Sequence, residues 1–243
     1  MIEIILVLSL VFLIYVFFYK QSTKEYLLNQ IDFSKIDKIY DLLSEKNPLI
    51  LHNVPPIPCV VPETLLKTPR FAKLLVDYLE KRDPTLPQSD KFEAFVANET
   101  GFQTFGEHAW YHRFHSPISQ YISSLKSKLC FGSKNLQRTY AIYNVIIPIE
   151  GKYTCSLLNS EYEKSLPSNW HNHNSIESII STNKQINYID IILKPGSLLI
   201  VPAHWYYIMS EETPYSYYGI FEYHEPISLL SEYLEHKKLT TKE

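Results

Sequence analysis

Glycine is scarce in this chain, six in 243 residues, and none of the six falls in a Gly-x-Ser-x-Gly elbow or a phosphate-cradling loop. The commonest hydrolase and nucleotide-binding signatures are therefore missing. Cysteine is scarcer still. Cys59, Cys130 and Cys155 are odd in number and widely spaced, so the expectation is reduced, mostly buried thiols rather than a zinc site or a disulfide framework. An excess of positive charge is lacking too: the formal net charge is −3 and the pI is near 6.3. That is not the basic footprint of a nucleic-acid binder, and no nucleic-acid partner is expected. Internal repeats and low-complexity tracts are absent. The chain does have a 45% hydrophobic content with 20% charged residues, enough to bury a real core and to exclude disorder as the main state. Few glycines beside abundant Tyr, Ile, Asn and Lys suggest an AT-rich genome.

Apolar residues are unevenly spread. Ile4 to Tyr19 reads IILVLSLVFLIYVFFY, interrupted only by Ser9, and with Met1 and Ile2 it approaches the ~20 residues that cross a bilayer. A cleaved signal peptide needs a positive region before its core and small residues after it. Here Glu3 precedes, and Phe17, Phe18 and Tyr19 follow, so an uncleaved single-pass anchor over residues 1–20 is expected, with the lipid bilayer as its partner. Lys20 and Lys24 flank the C-terminal side, which assigns the remainder to the cytoplasmic face. Asn98-Glu99-Thr100 is the one glycosylation sequon, and on that face it carries no glycan.

Residues 21–44 read as a polar tether followed by a helix, since Ile31 to Leu43 shows apolar residues at helical intervals. Asn47-Pro-Leu-Ile-Leu-His52 reads as a strand, and Val54 to Pro62 as a proline-rich turn region. Pro69 to Lys81 has the rhythm of an amphipathic helix opened by proline, and a second helix is predicted over Ile118 to Leu129. Thr139 to Ile149 and Tyr188 to Tyr223 are rich in Ile, Val, Tyr and Leu with Gly or Pro punctuation, which makes the C-terminal half β-rich. A polar tail is expected over 236–243.

The most specific local pattern is Ile191-Ile-Leu-Lys-Pro-Gly-Ser-Leu-Leu-Ile-Val-Pro-Ala-His-Trp-Tyr-Tyr207: a strand, a Pro-Gly turn, an apolar strand, then proline and an aromatic run. It resembles the C-terminal half of the cupin-like JmjC hydroxylase and demethylase superfamily. Two further stretches fall in matching order: Asn144-Val-Ile-Ile-Pro-Ile-Glu-Gly151 is similar to that family's Asn, apolar, apolar, x, Gln, apolar, x, Gly strand pair, and Asn47 to His52 to its opening strand. The resemblance covers residues 45–235. It implies a mainly β fold with flanking helices, a double-stranded β-helix (cupin or jelly roll) behind one transmembrane helix. It also implies iron(II) held by a His-x-Asp/Glu pair and a distant His, with 2-oxoglutarate as cosubstrate. Two imidazoles and one carboxylate on one face of the metal leave three positions open for cosubstrate and oxygen.

The chain departs from the family at the chemistry. None of its nine histidines is followed two residues on by Asp or Glu. Counting back from Asn144 puts Arg138 and Tyr140 at the first His and carboxylate positions, and counting on from Pro202 puts Tyr207 at the distal His. The lysine that pairs with 2-oxoglutarate falls at Tyr153, with Lys152 one place off. Arg138, Tyr140 and Tyr207 are therefore read as a degenerate metal site, and Asn144, Lys152, Tyr153 and Trp205 as the lining of any remaining cleft. Catalytic residues and cofactors are not expected on this reading, which makes the domain a binding or structural module with a protein partner.

Two other readings stay open on sequence alone. One is an active iron and 2-oxoglutarate-dependent hydroxylase, or another metalloenzyme, with relocated ligands. His108 and His112 share a helical face if Glu107 to His115 is helical, and His171 and His173 alternate in Trp-His-Asn-His; His115 and His224 complete the pool. The other is a membrane-tethered structural protein with no ligand cleft. Cys155 lies in an apolar strand unsuited to a nucleophile. Asp190 and Glu222 are read as separately paired or solvated acids, and the Tyr206-Tyr207 and Tyr215 to Tyr218 clusters as core or rim tyrosines that could line a cleft.

Overall fold

The computed structural model describes residues 2–21, 23, 27–61, 90–111, 121–180 and 186–240. Among them ten strands form two sheets. The larger has the order β1 (Asn29–Asp32), β2 (Leu49–His52), β8 (Ser197–Pro202), β5 (Tyr143–Glu150), β10 (Tyr217–His224), β3 (Ser124–Phe131); the smaller runs β4 (Lys134–Arg138), β9 (Tyr206–Glu211), β6 (Tyr153–Leu158), β7 (Ile189–Leu193). Only β1 and β2 pair in parallel; every other ladder is antiparallel.

Alternation of side chains along a strand sorts the core into layers. Leu199 and Val201 of β8, Ile146 of β5 and Tyr218 and Ile220 of β10 face inward, meeting Tyr153, Cys155 and Leu157 of β6, Leu193 of β7 and Tyr207 and Met209 of β9. Their neighbours Leu198, Ile200, Val145, Ile147, Phe221 and Tyr223 point the other way, under helices α2 (Ile39–Ser44), α3 (Asp90–Glu99) and α4 (Phe102–Gly106). Because β5, β8 and β10 are covered on both sides, their sequences are apolar runs instead of polar-apolar alternations. The outer face of the smaller sheet, through Leu136, Leu158, Tyr206 and Ile208, is covered by Ile176 and Ile179 of the short helix α5 (Ile176–Ile180).

Local chemistry accounts for several junctions. Lys194-Pro-Gly-Ser197 is a type II turn, with Ser197 N donating to Lys194 O at 3.0 Å and Gly196 at φ +88, the conformation that proline then glycine favour. Pro148 sits in the middle strand β5 without losing a ladder bond there, because β8 pairs only with Tyr143 to Ile146 and the β10 register slips between Tyr217 and Tyr218. Gly219 carries no side chain where the Phe102 ring lies flat on Phe221, 4.2 Å between centroids.

The expected strand at Asn47–His52 and the β-rich C-terminal half are present. Residues 124–129 are not helical: they belong to β3, paired with β10 along its whole length. Lys126 and Lys128 alternate there with Leu125, Ser127 and Leu129, the period of a strand. The segment expected as tether and helix is built into the domain, since β1 joins the sheet and Ile36, Ile39 and Leu43 are core residues. Phe33–Lys38 is a 3-10 helix that leads into α2. At the C-terminus α6 (Pro226–Thr240) is helical through the expected start of the tail at 236. The helix predicted over 69–81 lies outside the described residues. Cys59, Cys130 and Cys155 are free thiols, the last two buried.

Helix α1 (Ile2–Lys20) is long and apolar enough to cross a membrane. Its first thirteen residues are exposed, while Tyr15 and Val16 are half-buried and Tyr19 is 7% exposed against the domain.

Candidate functional site

Between the two sheets, at the end where β4, β9 and β10 approach α1 and α6, the core turns polar. Gln137 of β4 pairs in register with Tyr207 of β9, so both side chains point inward. The buried Tyr207 hydroxyl donates to Gln137 Oε1 at 2.7 Å and accepts from Asn144 Nδ2 at 3.4 Å. That phenol bridges the sheets, because Asn144 lies on β5. Across the ladder from Asn144 is Glu222 of β10, whose carboxylate takes Lys128 Nζ of β3 at 2.9 Å and faces His224 Nε2 at 3.7 Å.

Burial alone would raise the Glu222 carboxyl, but Lys128 and His224 outweigh it and hold it at about 2. Burial and the Glu222 charge push the Tyr207 phenol well above its ordinary value, so it stays protonated and can donate. A second buried ion pair lies beside this row: Lys134 Nζ meets Glu93 of α3 at 2.7 Å, and Cys130 Sγ lies 3.4 Å from the other Glu93 oxygen. Burial and the Glu93 charge raise the Cys130 thiol far up, which makes it inert as a nucleophile.

The three positions read as a degenerate metal site do not converge. Tyr207 points inward, whereas Arg138 pairs with Tyr206 and shares the outer face of the smaller sheet with it. The Arg138 guanidinium binds Glu163 through two hydrogen bonds of 3.1 and 3.0 Å and lies 5.5 Å from the ring centres of both Tyr140 and Tyr206. Gln137, one residue earlier, occupies the inward position opposite Tyr207. Of the expected cleft residues, Asn144 belongs to the polar row. Lys152 is half-exposed and paired with Glu212. Tyr153 is packed edge-on against Tyr218 at 4.9 Å, and Trp205 is buried with Nε1 on Lys46 O at 3.3 Å. Tyr206, Tyr207, Tyr217 and Tyr218 are all core; Tyr215 is exposed.

The described histidines are dispersed. His108 bonds Thr104 O at 2.8 Å, His173 bonds Ser178 Oγ at 2.8 Å, and His171 lies edge-on to Trp170. His112 and His115 lie outside the described residues. Among the described residues no three His, Cys, Asp or Glu side chains form a group able to hold a metal. Asp190 takes Ser156 Oγ at 2.5 Å and lies in the other sheet from Glu222. Around Tyr207 the inward groups are an amide from β4, an amide from β5, a protonated phenol and a single imidazole, His224, with the Glu222 carboxylate paired to Lys128 and the Glu93 carboxylate to Lys134. That set does not fit iron(II), which in the resembled family needs two imidazoles and an unpaired carboxylate.

Sequence reasoning missed Gln137 and Lys128. The alternation Lys126, Lys128, Cys130 is the available signal for an inward-facing cation. The contacts of α1 with the domain were missed as well. Tyr19 Oη donates to Tyr140 O at 2.7 Å, His204 Nε2 meets Tyr19 O at 3.0 Å, and the two rings stack edge-on at 4.7 Å. Tyr15 binds Glu225, and Lys46 Nζ reaches Phe18 O and, at 2.7 Å, Gln21 O. Burial and the nearby Arg138 charge lower the His204 imidazole to about 4, so it is neutral at physiological pH. His204 sits at φ +70, a left-handed position that no sequence pattern announced. No protein-family model and no curated protein sequence matches this chain.

Proposed function

We propose that this chain is a JmjC-like, double-stranded β-helix domain, anchored to a membrane by α1, in which the metal position has become a closed polar network. In this proposal the domain works as a binding or structural module without iron or 2-oxoglutarate chemistry. Strand order supports the fold. Numbered from β3, the two sheets read 1-8-3-6 and 2-7-4-5, the interleaving of an eight-stranded jelly roll, with β1 and β2 added at the edge of the first. The observation that carries the function is the Gln137–Tyr207–Asn144 bridge. The inward position on β9 where the family has its distal histidine holds a phenol already committed to two amides. An oxygenase needs that position free to bind metal.

The full chain in detergent micelles, loaded anaerobically with iron(II) and assayed for 2-oxoglutarate turnover, is expected to retain no stoichiometric iron and to consume no cosubstrate. Tight equimolar iron with turnover would refute the reading. On the cytoplasmic topology, Asn98, exposed on α3, carries no glycan when the chain is expressed in eukaryotic cells; a glycosylated Asn98 reverses the orientation.

A further inference from the structure

Helix α6 is built inside out. Its domain-facing side carries Ile227, Ser228, Ser231, Glu232 and Glu235, all buried or half-buried, and Glu232 pairs with Lys126 at 2.8 Å. Its outer side carries Leu229 (36% exposed), Leu230 (47%), Tyr233 (64%) and Leu234 (49%). Spacings of one, three, four and five residues put these four on one contiguous stripe, with Pro226 and Lys237 at its two ends. A water-exposed helix has the opposite arrangement.

The position of α1 indicates what covers the stripe. Nineteen helical residues measure about 28 Å, slightly less than the ~30 Å hydrocarbon core they must cross. The span therefore has no slack, and its C-terminal end belongs at the boundary between hydrocarbon and headgroups. Tyr15 lies about 8 Å before the end of α1, and its hydroxyl binds Glu225, the residue immediately before α6. Tyr19, one turn on, is buried against the domain beside Tyr140 and His204. The start of α6 is thus fixed within about 8 Å of the level where α1 leaves the bilayer, and its apolar stripe lies on the face of α6 turned away from the domain. Tyr233 on the stripe, 64% exposed, matches the enrichment of tyrosine at membrane interfaces.

We infer that the outer face of α6, from Pro226 to Leu234, is a second membrane-contacting surface that rests in the lipid interface beside α1. This rests on the reading of α1 as a membrane anchor. Full-length chain carrying Cys59→Ser is reconstituted in phosphatidylcholine vesicles with a nitroxide at Leu230→Cys. Leu8→Cys in α1 and Ile192→Cys on the edge strand β7 serve as reference sites; Cys130 and Cys155 are buried and do not label. Collision rates with oxygen, which partitions into lipid, and with a water-soluble nickel chelate are compared. The expected oxygen-to-nickel ratio at 230 is several-fold above that at 192 and below that at 8. A lipid-like ratio at 8 with a water-like ratio at 230 overturns the inference and leaves the anchor intact. A water-like ratio at 8 overturns both. Spin-spin broadening at 230 that is removed by dilution with unlabelled chain makes a second copy the occupant and also overturns it.

Discussion

Replacing Lys128 by methionine tests the buried polar row at its electrostatic centre. The Glu222 carboxyl is only 10% exposed and the Lys128 side chain 21%, so solvent screens the pair weakly. Holding Glu222 at about 2 against its ordinary 4.5 is equivalent to about 3 kcal/mol of stability at neutral pH. Because the folded value is depressed, that stability is complete above pH 4.5 and disappears as pH falls toward 2. Methionine keeps the volume and removes the charge, leaving a buried carboxylate with only His224 at 3.7 Å; the expected cost is about 3–5 kcal/mol at pH 7. The stranded carboxyl then titrates higher, so the deficit relative to wild type shrinks between pH 7 and pH 5. Urea unfolding of the full chain in micelles, followed by tryptophan fluorescence, measures both quantities. Glu222→Gln added to the variant should restore most of the loss. A deficit under about 1 kcal/mol, the range of an exposed pair, or one that does not change with pH, refutes the account.

Tyr207→Phe deletes the hydroxyl between Gln137 and Asn144 and should cost about 1–2 kcal/mol, read as a lowered thermal midpoint; an unchanged midpoint would mean that the bridge contributes nothing. His204 is neutral in the folded chain and held at about 4 against 6.5, so its contribution is present above pH 6.5 and is lost as pH falls toward 4. His204→Asn, which tolerates the left-handed backbone, should flatten urea stability across that interval, and a variant as acid-sensitive as wild type would be inconsistent with this. Gly219→Ala drives a methyl into the Phe102 ring and should lose about 1–3 kcal/mol by overpacking, with calorimetry as the check.

Where the determinants were local, the sequence alone was legible. The apolar run of α1, the Pro195-Gly196 turn and the strands on either side of it are fixed by neighbouring residues, and all were readable. Inwardness of Tyr207 was readable too, because it follows β8 through a short connection. The opposite strand was not. Counting from Asn144 to the inward residue of β4 assumes an ungapped path, yet Thr139 to Ile142 carries the chain from one sheet to the other. That crossover shifts the inward position from Arg138 to Gln137, and no propensity encodes it. Over its described part, residues 124–129, the helix predicted from 118 to 129 is a strand instead, because an inward-facing lysine reads as the polar face of an amphipathic helix until Glu222, 94 residues away, supplies the counter-charge of Lys128. Likewise, α1 reads as a free anchor until Tyr140 and His204 converge on Tyr19.

The burial of Tyr19 decides how far this domain can reach. A flexible linker of ten residues would let it sweep a radius of roughly 15–20 Å around its anchor. With the last turn of α1 locked against Tyr140, His204 and Lys46, the effective leash is zero. On the proposed reading of α1 as a membrane anchor, the domain would keep one face toward the bilayer, and any tilt of α1 would become a tilt of the whole β-sandwich. On the same proposal, any protein partner would have to share that membrane or come to its surface.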